Sequence, residues 1–329
     1  MNQSVSEHQS GGSTSPAVQL PLVSVIIPAY NAEEYVLEAL HSVLGQDYEP
    51  VEILVIDDGS SDGTVDLVRR ETPRVKIVQQ TNAGAAAARN TGLRCANGEL
   101  ICLLDADDGW FPGKLAAQVD YLQHHAEVGL VFHNWLVWEP DATGVYITPT
   151  RSMEPVPGEI DPSYSGWIYP QLLLDCAVHT STVMMRREVV QNIGFFDTSL
   201  VTGDDYNYWL RVSRQYEIHK LTGIYSFYRT VATGITNKVK LEDYEYRVIK
   251  NAMEQWGLSS ENGSSSLSQT RANQRLSQLS LNHGYGHFHH GSMKVARTAF
   301  LRALRHQPLN ARAIGYLIAA QFGGFFTSH

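Results

Sequence analysis

Three carboxylates, Asp105, Asp107 and Asp108, stand within four residues, directly after the apolar run Leu100-Ile101-Cys102-Leu103-Leu104. A run without alternation suits a short strand buried on both faces of a parallel sheet, so the acids are expected at the carboxyl end of a core strand. Charges so close repel one another unless a cation sits among them. Hard divalent ions such as Mg²⁺ take one or two protein carboxylates and complete their shell with water and substrate phosphates. The spacing therefore suggests a metal–diphosphate complex. An isolated Asp-x-Asp is more often a solvated acidic turn, and the rest of the chain has to decide.

Other residues could contribute chemistry. Asp57-Asp58-Gly59-Ser60 opens a polar turn after a second apolar run. Asp204-Asp205 precedes Tyr206-Asn207-Tyr208-Trp209-Leu210-Arg211, where a carboxylate at a helix start also serves as an ordinary dipole partner worth about 0.3–1 kcal/mol. Trp135, Trp138, Tyr146, Tyr164, Trp167 and Tyr169 offer aromatic faces to a sugar ring, or equally to a core or lid. His283, His287, His289 and His290 lack a Cys or carboxylate to complete a tetrahedral zinc set, so packing or surface histidines are expected.

The elements that would position these groups follow a regular order. Residues 23–27 read as a strand that stops at Pro28, which cannot donate to a ladder. Asn31 with Glu34 resembles a capping box ahead of a helix whose apolar face is Tyr35, Val36, Ala39, Leu40, Val43 and Leu44. Residues 51–56 form a second strand, followed by a helix from Thr64. Residues 75–78 form a third strand, and 83–93 an Ala-rich helix carrying Arg89. Residues 100–104 are the fourth strand, 128–138 a later one, and 178–185 another. Four βα units predict a doubly wound parallel α/β sheet, whose ligands bind beyond the carboxyl ends of the strands. Pro28, Ala29, Tyr30, Asp57, Asp58 and the acidic cluster then share one rim. Gly-x-Gly-x-x-Gly after the first strand and a P-loop are both absent, which counts against a dinucleotide dehydrogenase or a P-loop NTPase.

Four segments in order carry a resemblance: Ser24-Val-Ile-Ile-Pro-Ala-Tyr-Asn31, Glu52-Ile-Leu-Val-Ile-Asp-Asp-Gly-Ser-Ser-Asp-Gly-Thr64, Asn82-Ala-Gly-Ala-Ala-Ala-Ala-Arg-Asn-Thr-Gly92 and Leu104-Asp-Ala-Asp-Asp108. Together they resemble the signatures of the family 2 inverting glycosyltransferases, over about residues 20–235. The resemblance implies the GT-A fold, a Rossmann-like, mostly parallel sheet flanked by helices, and transfer of a sugar from a nucleoside diphosphate sugar, UDP-sugar favoured, to a glycan, lipid-linked or protein acceptor. It assigns Pro28, Ala29, Tyr30, Asp57, Asp58, Arg89, Asp105 and Ala106 to the donor and Asp107 to Mg²⁺ or Mn²⁺. Gly203-Asp-Asp-Tyr-Asn-Tyr-Trp-Leu-Arg211 resembles the family's acidic pair, with Asp204 in place of the usual Glu in an orienting role and Asp205 as general base. His179, Asp204 and Trp135 would lie near the diphosphate or acceptor. After Tyr228-Arg229, Thr230-Val231-Ala232-Thr233 stands where many relatives carry a metal-approaching His, which puts in doubt any protein ligand beyond Asp107.

Residues 1–20, rich in Ser, Gly and Gln and without a signal-peptide pattern, are expected to be a disordered tail. A nucleotide-binding half over about 21–112 and an acceptor-binding half over about 113–238 would form the catalytic domain. Residues 239–329 are expected to be a small α-helical extension, entered through a loop at 259–268. There Gly284, Gly291, Ala296, Phe300, Ala303 and Pro308 resemble one tetratricopeptide-type helix pair, with possible peripheral contact to a membrane or protein. The apolar stretch 313–326 is too short and interrupted to span a bilayer. A net charge of −9 over 329 residues argues against a nucleic-acid partner. Cys95, Cys102 and Cys176 read as core residues of a cytoplasmic protein. Two rivals remain: a sugar-nucleotide pyrophosphorylase, which would need a basic Gly-rich loop after the first strand, and a catalytically degenerate partner-binding module.

Overall fold

A computed structural model describes residues 20–71, 73–151, 154–230 and 239–322. The first nineteen residues of the tail, the positions Val231 to Thr233 and the end of the 313–326 stretch lie outside them.

Strand β1 (Val23–Ala29) lies between β2 (Val51–Asp57) and β4 (Leu100–Leu103), parallel to both, and β3 (Val75–Gln79) pairs parallel with β2. Because β1 is covered on both faces its side chains are apolar throughout apart from Ser24, and successive residues serve opposite layers. Val23, Val25 and Ile27 pack with α1 (Val36–Leu44) and α4 (Lys114–His124), while Ile26 packs with α3 (Ala85–Cys95). A Cβ on Gly92 of α3 would fall 2.3 Å from Ile26 Cγ2, so this helix approaches the sheet as closely as it does only with glycine there.

The strand runs two residues beyond its expected last residue, Ile27, taking in Pro28 and Ala29. The Ile26 carbonyl accepts from Leu104 N–H on the β4 side, so Pro28 turns its nitrogen to that same side, past the last β4 pairing at Ile26. The capping box is not formed either. Asn31 adopts φ 47°, its Oδ1 accepts from Ser61 N–H at 2.8 Å, and α1 begins at Val36 behind Tyr35. Asn31 caps the turn after β2 instead, and α2 (Thr64–Glu71) starts where that turn predicts.

Beyond β4 the sheet changes direction. Its full order is β3-β2-β1-β4-β7-β6-β8-β5, where β5 is Gly109–Trp110, β6 Val128–Trp138, β7 Met184–Arg186 and β8 Glu217–Arg229. β7 is antiparallel to β4 and β6, and β6 runs parallel to β8. The expected strand over 178–185 is broken by a 3-10 turn at Thr180–Thr182, whose hydroxyls bond locally and across the site; only Met184–Arg186 pairs in the sheet. Helix α5 (Tyr169–Leu172) precedes that turn, α6 (Arg187–Ile193) and α7 (Asp204–Val212) follow β7, and Gly203 at φ 77° makes the reversal that starts α7. Cys176, in the irregular segment after α5, is exposed rather than in the core.

The C-terminal helices are α8 (Tyr244–Trp256), α9 (Gln269–His290), α10 (Met293–His306) and α11 (Ala311–Phe322). Val248, Ile249 and Ala252 of α8, with Ala272, Leu276 and Leu279 of α9, join the same core as α3 and α7. The far end of α9 with α10 and α11 closes a separate cluster around Phe300, whose ring covers Gly284. His283 and His287 each donate through Nε2 to the Lys240 carbonyl, at 2.9 and 2.8 Å, so they pack a connection.

Candidate active site

The rim beyond β1, β2 and β4 is built from loops that hold one another. Asp58 N–H donates to Ala29 O at 2.8 Å. The Asp58 carboxylate, 3% exposed, accepts from Gln80 Nε2 and from the N–H groups of Ala83 and Gly84. Asp58 thus fastens the β2 turn to the N-terminus of α3, where the helix dipole favours a negative charge. Asp57, 1% exposed, accepts from Ser60 N–H and Gln79 Nε2, at 3.0 and 3.1 Å. Pro28, Ala29 and Tyr30 line the same turn, with the Tyr30 ring 54% exposed.

Arg89 is buried, not a helix-surface residue. Its Nη2 donates to Asp105 Oδ1 at 2.8 Å and its Nη1 to Asp204 Oδ2 at 2.9 Å, while its Nε has no partner. Burial disfavours the guanidinium, but Asp105, Asp204 and Asp205 outweigh it and hold the pKa above the ordinary value. Three acids around one cation leave net negative charge. Asp204, buried and beside Asp205, has its pKa pushed up to about 6 despite Arg89.

The acidic loop is clamped from two sides that sequence reasoning missed. Ser181 Oγ donates to Asp108 Oδ2 at 2.5 Å and accepts from Asp105 N–H at 3.1 Å. The Ser181 carbonyl accepts from Trp110 Nε1 at 2.7 Å. Opposite, Arg229 N–H donates to Asp108 Oδ1 and Arg229 Nε to the Asp107 carbonyl, both at 3.1 Å. The Arg229 side chain also pairs with Glu38 and lies 3.7 Å over the Trp138 ring. Ala106, 9% exposed, sits inside this loop. Burial and the neighbouring acids push Asp108 well above the usual carboxylate range, and burial with Asp105 pushes Asp107 up to about 6.

Asp205 begins α7 beside Asp204. Thr180 Oγ1 donates to its Oδ2 at 3.1 Å, and Tyr206 N–H to its Oδ1 at 2.7 Å. It is only partly buried, so lone pairs remain to accept a proton from outside. His179 stacks on Trp135 with ring centroids 5.2 Å apart and meets Tyr228 edge-on at 4.9 Å. Its buried Nδ1 has no hydrogen-bond partner, and burial lowers its pKa, so the ring is neutral near pH 7. The structure therefore brings Asp105, Arg89, Asp204 and Asp205 into one connected network, with Asp107 in the adjoining loop. His179 and Trp135 form a separate aromatic group beside it. Asp57 and Asp58 serve the rim through protein hydrogen bonds.

Lys114 was not expected either. At 0% exposure its Nζ donates to Gln118 Oε1 at 2.7 Å and lies 3.9 Å over the Trp110 ring, and burial lowers its pKa. Among the described residues no three His, Cys, Asp or Glu side chains stand together as a metal-ligand set.

The family model for glycosyl transferase family 2 matches residues 24–193. The UDP-Glc:alpha-D-GlcNAc-diphosphoundecaprenol beta-1,3-glucosyltransferase WfaP of Escherichia coli is 30% identical over 238 residues, covering 70% of this chain and 87% of that protein. An uncharacterized glycosyltransferase of Rickettsia bellii is 30% identical over 193 residues, 58% of this chain but only 26% of that much longer protein. Among solved structures, S. aureus TarS 1-349 in complex with UDP-GlcNAc superposes with a TM-score of 0.62 at 19% identity, covering 91% of this chain and 87% of the other. The mannosyltransferase PcManGT of Pyrobaculum calidifontis, in complex with GDP-Man and Mn²⁺, gives 0.55 at 20%, covering 95% and 89%. At these identities the structural likeness shows the fold, which is that of the GT-A enzymes.

Proposed function

The chain belongs to glycosyltransferase family 2, and from that premise we propose that it moves a sugar from a UDP-sugar to an acceptor hydroxyl with inversion at the anomeric carbon. The observation that carries this reading is the Arg89 bridge. It ties Asp105, at the end of β4, to Asp204, at the start of α7, and so sets Asp205 against the donor rim.

In this reading Pro28, Ala29, Tyr30, Asp57 and Asp58 hold the nucleotide base, and Asp105 with Ala106 the ribose side. Asp205 accepts the proton of the acceptor hydroxyl while that oxygen forms its bond to the anomeric carbon. The bond to the diphosphate breaks on the opposite face, and its electron pair leaves with the diphosphate. Thr180 and the Tyr206 N–H fix the Asp205 carboxylate so that one lone pair is aimed outward, which lowers the entropic cost of the proton transfer. His179 and Trp135 border the acceptor.

The residues fit Mg²⁺ or Mn²⁺. Arg229 bonds the Asp107 carbonyl, leaving the carboxylate under the charge of Asp105, and a single protein acid suits an ion whose other ligands are diphosphate oxygens and water. Asp107 would hold that ion, which when bound acts as a Lewis acid toward the leaving diphosphate.

The name of WfaP and the UDP-GlcNAc bound to TarS favour UDP over other bases, and the name of WfaP favours a diphosphate-linked lipid acceptor. No helix among the described residues is long and apolar enough to cross a membrane. Calorimetry with UDP-, GDP- and dTDP-sugars, with and without Mn²⁺, tests the proposal. Binding of one donor should require the ion, vanish in Asp107→Ala and persist in Asp205→Asn, with turnover lost in both. No nucleotide binding under any condition would overturn it.

A further inference from the structure

Charge is distributed unevenly along the chain. Residues 262–329 contain seven Lys and Arg and no Asp or Glu; with the whole chain at −9, residues 1–261 stand at −16. Two of the seven, Arg275 and Arg302, pair back to Glu245 and Asp243, and Arg297 donates to the Ala320 carbonyl. Lys294, Arg305 and Arg312 are exposed and form no ion pair among the described residues.

These cations border apolar surface. On α10, Lys294, Leu301 and Arg305 share one exposed face at offsets of seven and four residues. Helix α11 buries Ala313 and Ala320 against its neighbours and leaves Ile314 and Ile318, four apart on its other side, 38% and 52% exposed. Leu309, between the two helices, is 92% exposed. An apolar stripe turned to solvent beside unpaired cations matches a surface that is apolar below and anionic at its face.

We propose that α10 and α11 dock this protein on an anionic phospholipid surface, Ile314, Ile318 and Leu309 entering the acyl boundary and Lys294, Arg305 and Arg312 meeting the headgroups. A nucleic acid or acidic protein would satisfy the cations but offers no acyl layer to the stripe. At 12 residues α11 is about 18 Å long, short of a span, so it lies in the interface. The same helices rest on the layer behind the proposed base: Tyr246 O–H meets His306 Nε2 at 2.9 Å, and Val248 of α8 lies 3.8 Å from the Cβ position of Gly203, where α7 begins. Docking and catalysis would thus share a rigid support.

Co-sedimentation of the full chain with vesicles, without any nucleotide, tests this independently of sugar transfer. Vesicles of mixed phosphatidylglycerol and phosphatidylcholine should carry the protein down at low salt and release it at high salt, and pure phosphatidylcholine should bind little. Each cation neutralised should lower partitioning about fivefold, so K294Q/R305Q/R312Q should lose about a hundredfold. Ile314→Asn with Ile318→Asn should weaken binding with the charge unchanged. Arg69→Gln on α2 should have no effect, and thermal melts matching the parent would exclude unfolding, since the altered positions are exposed. No vesicle binding, equal binding to both lipids, an undiminished triple variant, or binding to polyglutamate or DNA in place of vesicles would overturn the proposal.

Discussion

Arg89 and Asp204, 115 residues apart in the chain, meet through a 2.9 Å hydrogen bond between Nη1 and Oδ2 in a setting that is almost closed to water. The same guanidinium holds Asp105, so one side chain joins the rim at the end of β4 to the helix of the proposed base. Removing it strands two acids. Arg89→Met should cost about 3–5 kcal/mol in urea unfolding, the range for breaking a buried pair. The double change with Asp204→Asn should cost less than the sum of the two single changes.

Ser181 is both donor to Asp108 and acceptor for Asp105 N–H. Ser181→Ala leaves a buried carboxylate short of one donor and should destabilise by about 1–3 kcal/mol. A folded Ser181→Ala protein should also bind donor more weakly, because the acidic loop loses one of its two clamps; thermal melts and calorimetry read the two effects separately.

Asp107 and Asp204 both have pKa values raised to about 6, above the ordinary carboxylate range. Ionising them costs the folded state, so their share of stability is lowest above about pH 6. It rises as pH falls through about 6 towards the ordinary carboxylate range, and is level below that. Ion binding moves the other way, since a proton on Asp107 competes with the cation. Mn²⁺ affinity in the presence of donor should fall towards tenfold per unit below about pH 6, and a titration in Asp107→Asn should show only weak, pH-insensitive binding.

Thr180→Val removes the donor to Asp205 Oδ2 while keeping the shape of the side chain. Donor affinity should stay within about twofold, and kcat should fall by about tenfold or more, a split that a merely structural role would not give. Unchanged kcat would separate Asp205 from the proton transfer.

The parallel half of the fold was legible because unbroken apolar runs bounded by Asp- and Gly-rich turns have few other solutions. The acidic motifs were legible for the same reason, as they close those runs. What could not be read were partners that exist only in three dimensions. Asn31 looked like a local cap, yet its partner Ser61 is 30 residues on. Residues 178–185 read as a strand, but the Thr180 and Ser181 hydroxyls bond Asp205 and Asp108, and the backbone curls to let them. Lys114 occupies what reads as an ordinary helix position and is fully buried with Gln118, and nothing adjacent to Arg229 announces that it clamps a loop 121 residues earlier.

The bridge at Arg89 also imposes an order in time. The family match ends at residue 193, and Asp204, Asp205 and Arg229 are all made after it. At roughly 5–20 residues per second, a ribosome spends on the order of ten seconds between Arg89 and Asp204. Until Asp204 is made the Arg89 bridge cannot close, and Asp105 is the one of its two bonded acids already in the chain. A fragment cut at residue 193 would lack Asp204, the side chains of α7 to α9 that complete the core around α3, and Asp205, the group proposed to take the acceptor's proton.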